Sequence, residues 1–232
     1  THCISSAASD VYKRQLPHML VNKNEWEKIV SKMGIKNEDM IIIYDNSDVV
    51  SSCRCWFNFI YYGHDPKLVH VLNGGLKKWL EEKRKVTNNL SKVIKSDYKS
   101  FENQELVKNK DSINQNIETR NFMVVDARSK ERFEGKVPEP REGLKSGNIK
   151  NSVCIPFGSC LNQDRTFRNK QELEKIFQSY LKNLHDKNIV FSCGSGVTAC
   201  VLALAYSLIN DKYRPCIYDG SWAEYGLSLI HI

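Results

Sequence analysis

Two stretches of this chain repeat one another, and that repetition constrains the fold more than any other feature. "MIIIYDNSDVVSSCRCWFNFI" (40–60) and "NIVFSCGSGVTACVLALAYSL" (188–208) each pass from an apolar strand-like run through a short polar turn into a helix-like stretch. Further on, "VHVLNGGLKKW" (69–79) matches "PCIYDGSWAEY" (215–225). Both carry an apolar run, then Asn73 or Asp219, then Gly74 or Gly220, then a helical segment with an aromatic at Trp79 or Tyr225. Asp45 lies 29 residues before Gly74, and Cys193 lies 27 before Gly220. Two copies of one strand–helix–strand–helix unit account for this pattern. Short, wholly apolar strands such as "MIIIY" and "FMVVDA" suit parallel sheets covered on both faces. The fold class is therefore α/β, with two domains, each a mostly parallel sheet flanked by helices.

Composition sets the expected boundaries. Residues 1–15, "THCISSAASDVYKRQ", lack a starting Met and show no periodicity, so they read as a non-native leader; the closing "LSLIHI" (227–232) is equally abrupt. Residues 16–86 form a first domain, expected to be incomplete and inactive. The polar stretch 87–118 has no core signature and reads as a linker, and 119–232 form the catalytic domain.

Several function classes drop out. The chain has 34 Lys and Arg against 27 Asp and Glu, a formal charge of +7. The basic residues are scattered among acids, as in "KKWLEEKRK", with no zinc finger, RNP sequence or basic helix, so they read as solvated surface and no nucleic-acid partner is expected. The eight cysteines contain no C-x-x-C pair, which argues against structural zinc; no metal or other cofactor is expected. Free thiols fit a reducing compartment, cytoplasmic or mitochondrial. The longest apolar run, "ACVLALAY", is far short of the ~20 residues a membrane span needs.

Chemistry concentrates in the second copy. Cys193 ends a β-branched run and opens the loop Cys193-Gly194-Ser195-Gly196-Val197-Thr198, which leads into a helix. In a parallel α/β sheet, ligands bind beyond the carboxyl ends of the strands. Unpaired N–H groups and the helix dipole favour a thiolate there. Gly194 and Gly196 let the backbone curl into an anion-holding nest. Cysteine phosphatases close such a loop with Arg six residues after the nucleophile, and here that residue is Ala199. Asp45 occupies the matching place in the first copy, which so lacks a nucleophile. Cys200 reads as a small core residue. Asp126 reads as a loop brace and Arg128 as the partner of an acid.

The loop "CGSGVTAC" resembles the active-site loop of the 3-mercaptopyruvate sulfurtransferases, within the tandem-domain rhodanese family. So do "DARSKERFEGKVPEPREGLKSGNIKNSVCIPF" (126–157) and "IYDGSW" (217–222). The resemblance spans roughly residues 16–226. It implies transfer of sulfur from 3-mercaptopyruvate, through a persulfide on Cys193, to a small thiol, thioredoxin or cyanide, with release of pyruvate. Arg132 and Arg141 fall where that family binds the substrate's carboxylate and keto oxygen. Gly194, Gly196, Val197 and Thr198 supply the surrounding loop. Ser195 and His18 match the family's proton relay, whose third member, an Asp, would fall at Ala7. Ser52 sits where some members offer a Tyr, and Asn148 and Lys150 replace a frequent His and Pro.

Rhodaneses proper use the dianion thiosulfate, and their loop resembles C-R-K-G-V-T. Here Gly194 and Ser195 leave the loop neutral, which disfavours a second anionic charge beside the sulfur and favours a donor whose charge lies on a distant carboxylate. A thiosulfate sulfurtransferase and a non-catalytic binding module of the same fold stay open. Cys154 and Cys160 are further candidates, as redox-sensitive thiols.

Overall fold

The computed structural model describes residues 16–89, 91–181 and 188–228. Residues 1–15, where the sequence places the expected leader and Ala7, and residues 229–232 lie outside the described residues.

The first domain begins with α1 (Lys23–Lys32). The Asn22 side chain accepts from the Glu25 N–H and starts this helix, which buries Trp26 and Val30. β1 (Ile41–Ile43), α2 (Ser52–Tyr61), β2 (Val69–Val71) and α3 (Gly75–Glu81) follow. β1 and β2 pair in parallel, Ile41 against Val69 and Ile43 against Val71.

The second domain runs β3 (Val107–Lys108), α4 (Lys110–Thr119), β4 (Met123–Asp126), α5 (Lys130–Phe133), β5 (Val153–Cys154), α6 (Lys170–Gln178), β6 (Ile189–Ser192), α7 (Ala199–Ser207), β7 (Ile217–Tyr218) and α8 (Ser221–Ser228). Its five strands lie in the order β3-β7-β6-β4-β5, every pair parallel. β6 is buried along its whole length, as a central strand covered on both faces must be. The expected α/β architecture is present, and each repeat reads strand, helix, strand, helix. The repeat extends to one hydrogen bond: Leu76 N–H donates to the Asp45 carbonyl, and Trp222 N–H to the Cys193 carbonyl, both at 2.9 Å.

The linker expected at 87–118 is too long. A 3₁₀ turn at Gln104–Leu106, then β3 and α4, already belong to the second domain, where β3 pairs with β7. Their polarity misleads because β3 is a two-residue edge strand and α4 buries only Ile113 and Asn116. The described residues of the remaining stretch carry no helix or strand yet are tied to the first domain. Ser96 N–H donates to the Ser31 carbonyl and Tyr98 N–H to Ser31 Oγ, each at 3.0 Å. The Tyr98 ring stacks on His64 at 5.8 Å.

The two domains share one apolar core. α2 packs on α7, and Trp56, Phe57, Val201 and Leu202 fall in the same buried cluster. α7 is apolar all round, as a helix held between its own sheet and a neighbouring domain must be.

Candidate active site

β6 delivers Cys193 to the carboxyl end of the second sheet, at the same edge where β4 delivers Asp126. The cysteine loop is then fixed from α8. The Cys193 N–H donates to Ser221 Oγ at 3.2 Å, and the Gly194 carbonyl accepts from the Ala223 N–H at 2.9 Å. Ser221 itself has φ +49°, a left-handed turn that places its hydroxyl under the cysteine. Cys193, itself only 2% exposed, lies at the wall of a cleft of about 2010 Å³ together with Gly194, Ser195, His18, Arg132 and Arg141.

The two arginines close over Gly194. A Cβ at that position would stand 3.1 Å from Arg132 Nη2 and 3.8 Å from Arg141 Nη1. A longer side chain there would occupy the place of the guanidinium groups. Arg141 Nη2 also donates to Ser195 Oγ at 3.3 Å, and His18 Nδ1 lies 2.9 Å from the same hydroxyl. Cys193, Ser195, His18, Arg132 and Arg141 thus meet at one place, although His18 and Ser195 are 177 residues apart. Val197 and Thr198 line the cleft as well. Gly196 does not: its φ is +78°, and its carbonyl accepts from Arg54 instead. Its place in the site is behind the loop, away from the substrate space where the sequence put it.

An ionic row supports the clamp from behind. Arg128 donates to Asp126 (Nη2 to Oδ2, 2.7 Å), to Glu139 (Nη1 to Oε1, 2.6 Å) and to the Gly147 carbonyl (2.7 Å). Its guanidinium lies 4.4 Å over the Trp222 ring. Arg132 Nη2 pairs with the other Glu139 oxygen, and its Nε donates to Oε1 at 3.3 Å. Burial of the acids is offset by these bonds, and the row holds Arg132 in one orientation. Sequence reasoning placed Asp126 and Arg128 correctly as braces. It missed Glu139, whose position two residues before Arg141 was the available signal, and it missed Arg54, Asp219 and Ser221.

The first domain's counterpart of this nest is filled by its own side chain. Asp45 Oδ2 accepts from the Ser52 N–H at the start of α2 and from Ser51 Oγ at 3.3 Å, and Oδ1 accepts from the Ser47 N–H at 3.2 Å. A fixed carboxylate stands in the place that Cys193 takes in the second domain, held by N–H groups at the start of a helix. Ser52 is consumed in this cap. Cys200 is fully buried and donates to the Gly196 carbonyl at 3.2 Å. Burial pushes the Cys154 and Cys160 thiols up to about 12, which disfavours the reactive thiolate at either. Among the described residues there is no cluster of three or more metal-ligating side chains, and no helix is long and apolar enough to cross a membrane.

The rhodanese-like domain family matches residues 6–82 and 109–227. The chain is 36% identical to the Arabidopsis thaliana thiosulfate/3-mercaptopyruvate sulfurtransferase 1, mitochondrial, across 92% of this chain and 61% of that protein. It is 35% identical to the Homo sapiens 3-mercaptopyruvate sulfurtransferase, across 90% of this chain and 69% of that protein. It therefore spans about two thirds of these relatives' length. The crystal structure of SseA from Escherichia coli, described as showing the rhodanese fold and mechanism of 3-mercaptopyruvate sulfotransferases, superposes with a TM-score of 0.80 at 25% identity, covering 94% of this chain and 80% of that one. Repeat, parallel sheets, cysteine loop and relatives agree: the chain belongs to the rhodanese-like domain family.

Proposed function

We propose that this chain is a sulfurtransferase that takes sulfur from 3-mercaptopyruvate onto Cys193 and passes it to a thiol, thioredoxin or cyanide. The observation that carries the donor assignment is the pair of guanidinium groups closing over a neutral Gly194. Two planar forks beside the loop suit a carboxylate and its neighbouring keto oxygen. No cation stands on the loop itself to meet a second charge at the sulfur.

In this reading Arg132 and Arg141 orient the donor by its carboxylate end. The Cys193 thiolate attacks the substrate sulfur. The carbon–sulfur bond breaks, its electron pair leaves with pyruvate enolate, and the Cys193 persulfide remains. The enolate takes up one proton, which Ser195 and His18, 2.9 Å apart, would relay in this reading. Gly194, Val197 and Thr198 line the space in which the persulfide would lie. An acceptor thiolate then attacks the outer sulfur and restores Cys193, which makes the reaction a two-step covalent transfer.

The test is intact-mass spectrometry of the reduced protein after brief exposure to 3-mercaptopyruvate or to thiosulfate, with Cys193→Ser as control. A gain of one sulfur atom from 3-mercaptopyruvate, absent in the variant, is expected. A gain chiefly from thiosulfate would overturn the donor assignment, and no gain from either would favour the binding-module reading.

A further inference from the structure

The first domain has Asp45 where the second has Cys193, yet one of its side chains reaches behind the cysteine loop. Arg54, on α2, donates from Nη1 to the Gly196 carbonyl at 3.1 Å. Its Nη2 donates to the His18 carbonyl at 2.9 Å and to Asp219 Oδ1 at 2.6 Å. The second Asp219 oxygen accepts from the Leu20 N–H at 2.9 Å. Arg54 and Asp219 side chains are only 9% and 6% exposed. Gly196 is held so closely that a Cβ there would stand 2.8 Å from Arg54 Nη1.

Those contacts single out two backbone points. His18 supplies the ring that meets Ser195, and Gly196 follows Ser195 in the loop. Both carbonyls are held by one planar, permanently charged group. Because the C=O and N–H of a trans peptide point in opposite directions, drawing the Gly196 carbonyl to Arg54 turns the Val197 N–H the other way. Leu20 is fixed through Asp219, so the strand of chain that carries His18 is held at two residues. A buried charge pair is poor evidence of stabilisation by itself, and fixing one geometry is the better-attested use of such a pair.

We infer that Arg54, paired with Asp219, is a positioning residue for sulfur transfer: it sets the orientation of the cysteine loop and the placement of His18 against Ser195 from the other domain. The inference rests on the proposed sulfurtransferase reading for its turnover arm and is independent of it in its labelling arm. Arg132 and Arg141 lie on the second domain and meet the loop at Gly194 and Ser195, whereas Arg54 holds it at the Gly196 carbonyl, so the split between KM and kcat distinguishes donor binding from loop orientation.

The experiment compares Arg54→Lys and Asp219→Asn with the parent, all as the full 232-residue chain, by near-ultraviolet circular dichroism, steady-state kinetics with 3-mercaptopyruvate, and peptide-mapped iodoacetamide labelling of Cys193. Lysine keeps the charge facing Asp219 but cannot serve both carbonyls with a planar fork. The expected result is KM within about twofold of the parent and kcat lower by roughly 10- to 100-fold, the cost of misplacing a reacting group by about 1 Å. Cys193 labelling, which needs no donor, is expected to slow in parallel. Guanidinium ion added to Arg54→Ala should restore part of both rates. Should Arg54→Lys not fold, Asp219→Asn carries the same readouts. Unchanged kcat and unchanged labelling in a folded variant would overturn the inference, as would a loss confined to KM. If the parent forms no persulfide with any donor, the labelling arm alone decides, and slowed labelling still supports the positioning role.

Discussion

At the scale of single residues, the site is organised by which groups are already paired. Arg132 is held by Glu139, and Glu139 is also bound to Arg128, itself engaged by Asp126. Arg128 and Arg132 thus share two carboxylates, and with Arg141 the cluster offers one net positive charge to a donor. Replacing Glu139 with Gln raises that charge by one and loosens Arg132. The expected outcome is a shift in donor preference towards dianionic thiosulfate by at least about threefold in relative kcat/KM, since specificity is a difference between two affinities. The same substitution is expected to lower stability by about 1–3 kcal/mol, because a buried charged hydrogen bond is weakened. Gly194→Ala tests the clamp from the other side. Its Cβ would press on Arg132 Nη2 at 3.1 Å, and Glu139 prevents an easy retreat, so a roughly tenfold fall in kcat/KM for 3-mercaptopyruvate is expected. The thiols separate by pH. Burial holds Cys154 and Cys160 near 12, so neutral folded protein should be labelled at neither, with labelling appearing only as strongly alkaline pH supplies their thiolates.

At the scale of elements, legibility in the sequence follows distance along the chain. Cys193, its loop and the start of α7 were readable because a strand, a glycine-rich turn and a helix stand in immediate succession. Arg132 and Arg141 were assigned through resemblance, and the fold places both at Gly194. Arg54 was not readable: its partners Gly196 and Asp219 lie 142 and 165 residues away, and nothing local marks an Arg in an aromatic helix as buried. β3 and α4 were lost to the linker for the converse reason, since an edge strand and a half-wet helix look polar however well they are anchored. α7 shows what position in the fold demands of an element. Ala203 is fully buried within it, among neighbours on every side. Ala203→Leu should overpack this helix at a cost of about 1–3 kcal/mol. For a chain of this size that corresponds to a melting temperature lower by about 2–12 °C, read by thermal unfolding.

At the scale of the whole molecule, the two domains are joined by more than a connecting segment. α2 and α7 lie in one apolar cluster, the buried Arg54–Asp219 pair joins the two domains, and a second set of contacts closes the outer edge. There Phe167 N–H donates to Asn73 Oδ1 at 2.8 Å, Lys78 meets Asp164 at 2.8 Å, and Arg165 Nη1 donates to the Ser47 carbonyl at 2.6 Å. The exposed ion pair adds little, but the shared core cannot be opened on one side without exposing the other. The chain should therefore unfold as one unit, although ordinary interfaces between domains are polar and permit separate transitions. Tryptophans provide the readout, with Trp26, Trp56 and Trp79 in the first domain and Trp222 in the second. Variants retaining only Trp26 or only Trp222 should give coincident denaturant midpoints. Phe57→Ala, a cavity of roughly 3–5 kcal/mol on α2, should lower both midpoints together. If Phe57→Ala moves the Trp26 transition and leaves that of Trp222 in place, the domains are energetically separate. The loop around Cys193 would then draw its stability from the second domain alone. Coincident shifts would mean that the first domain contributes directly to the stability of the one that carries Cys193.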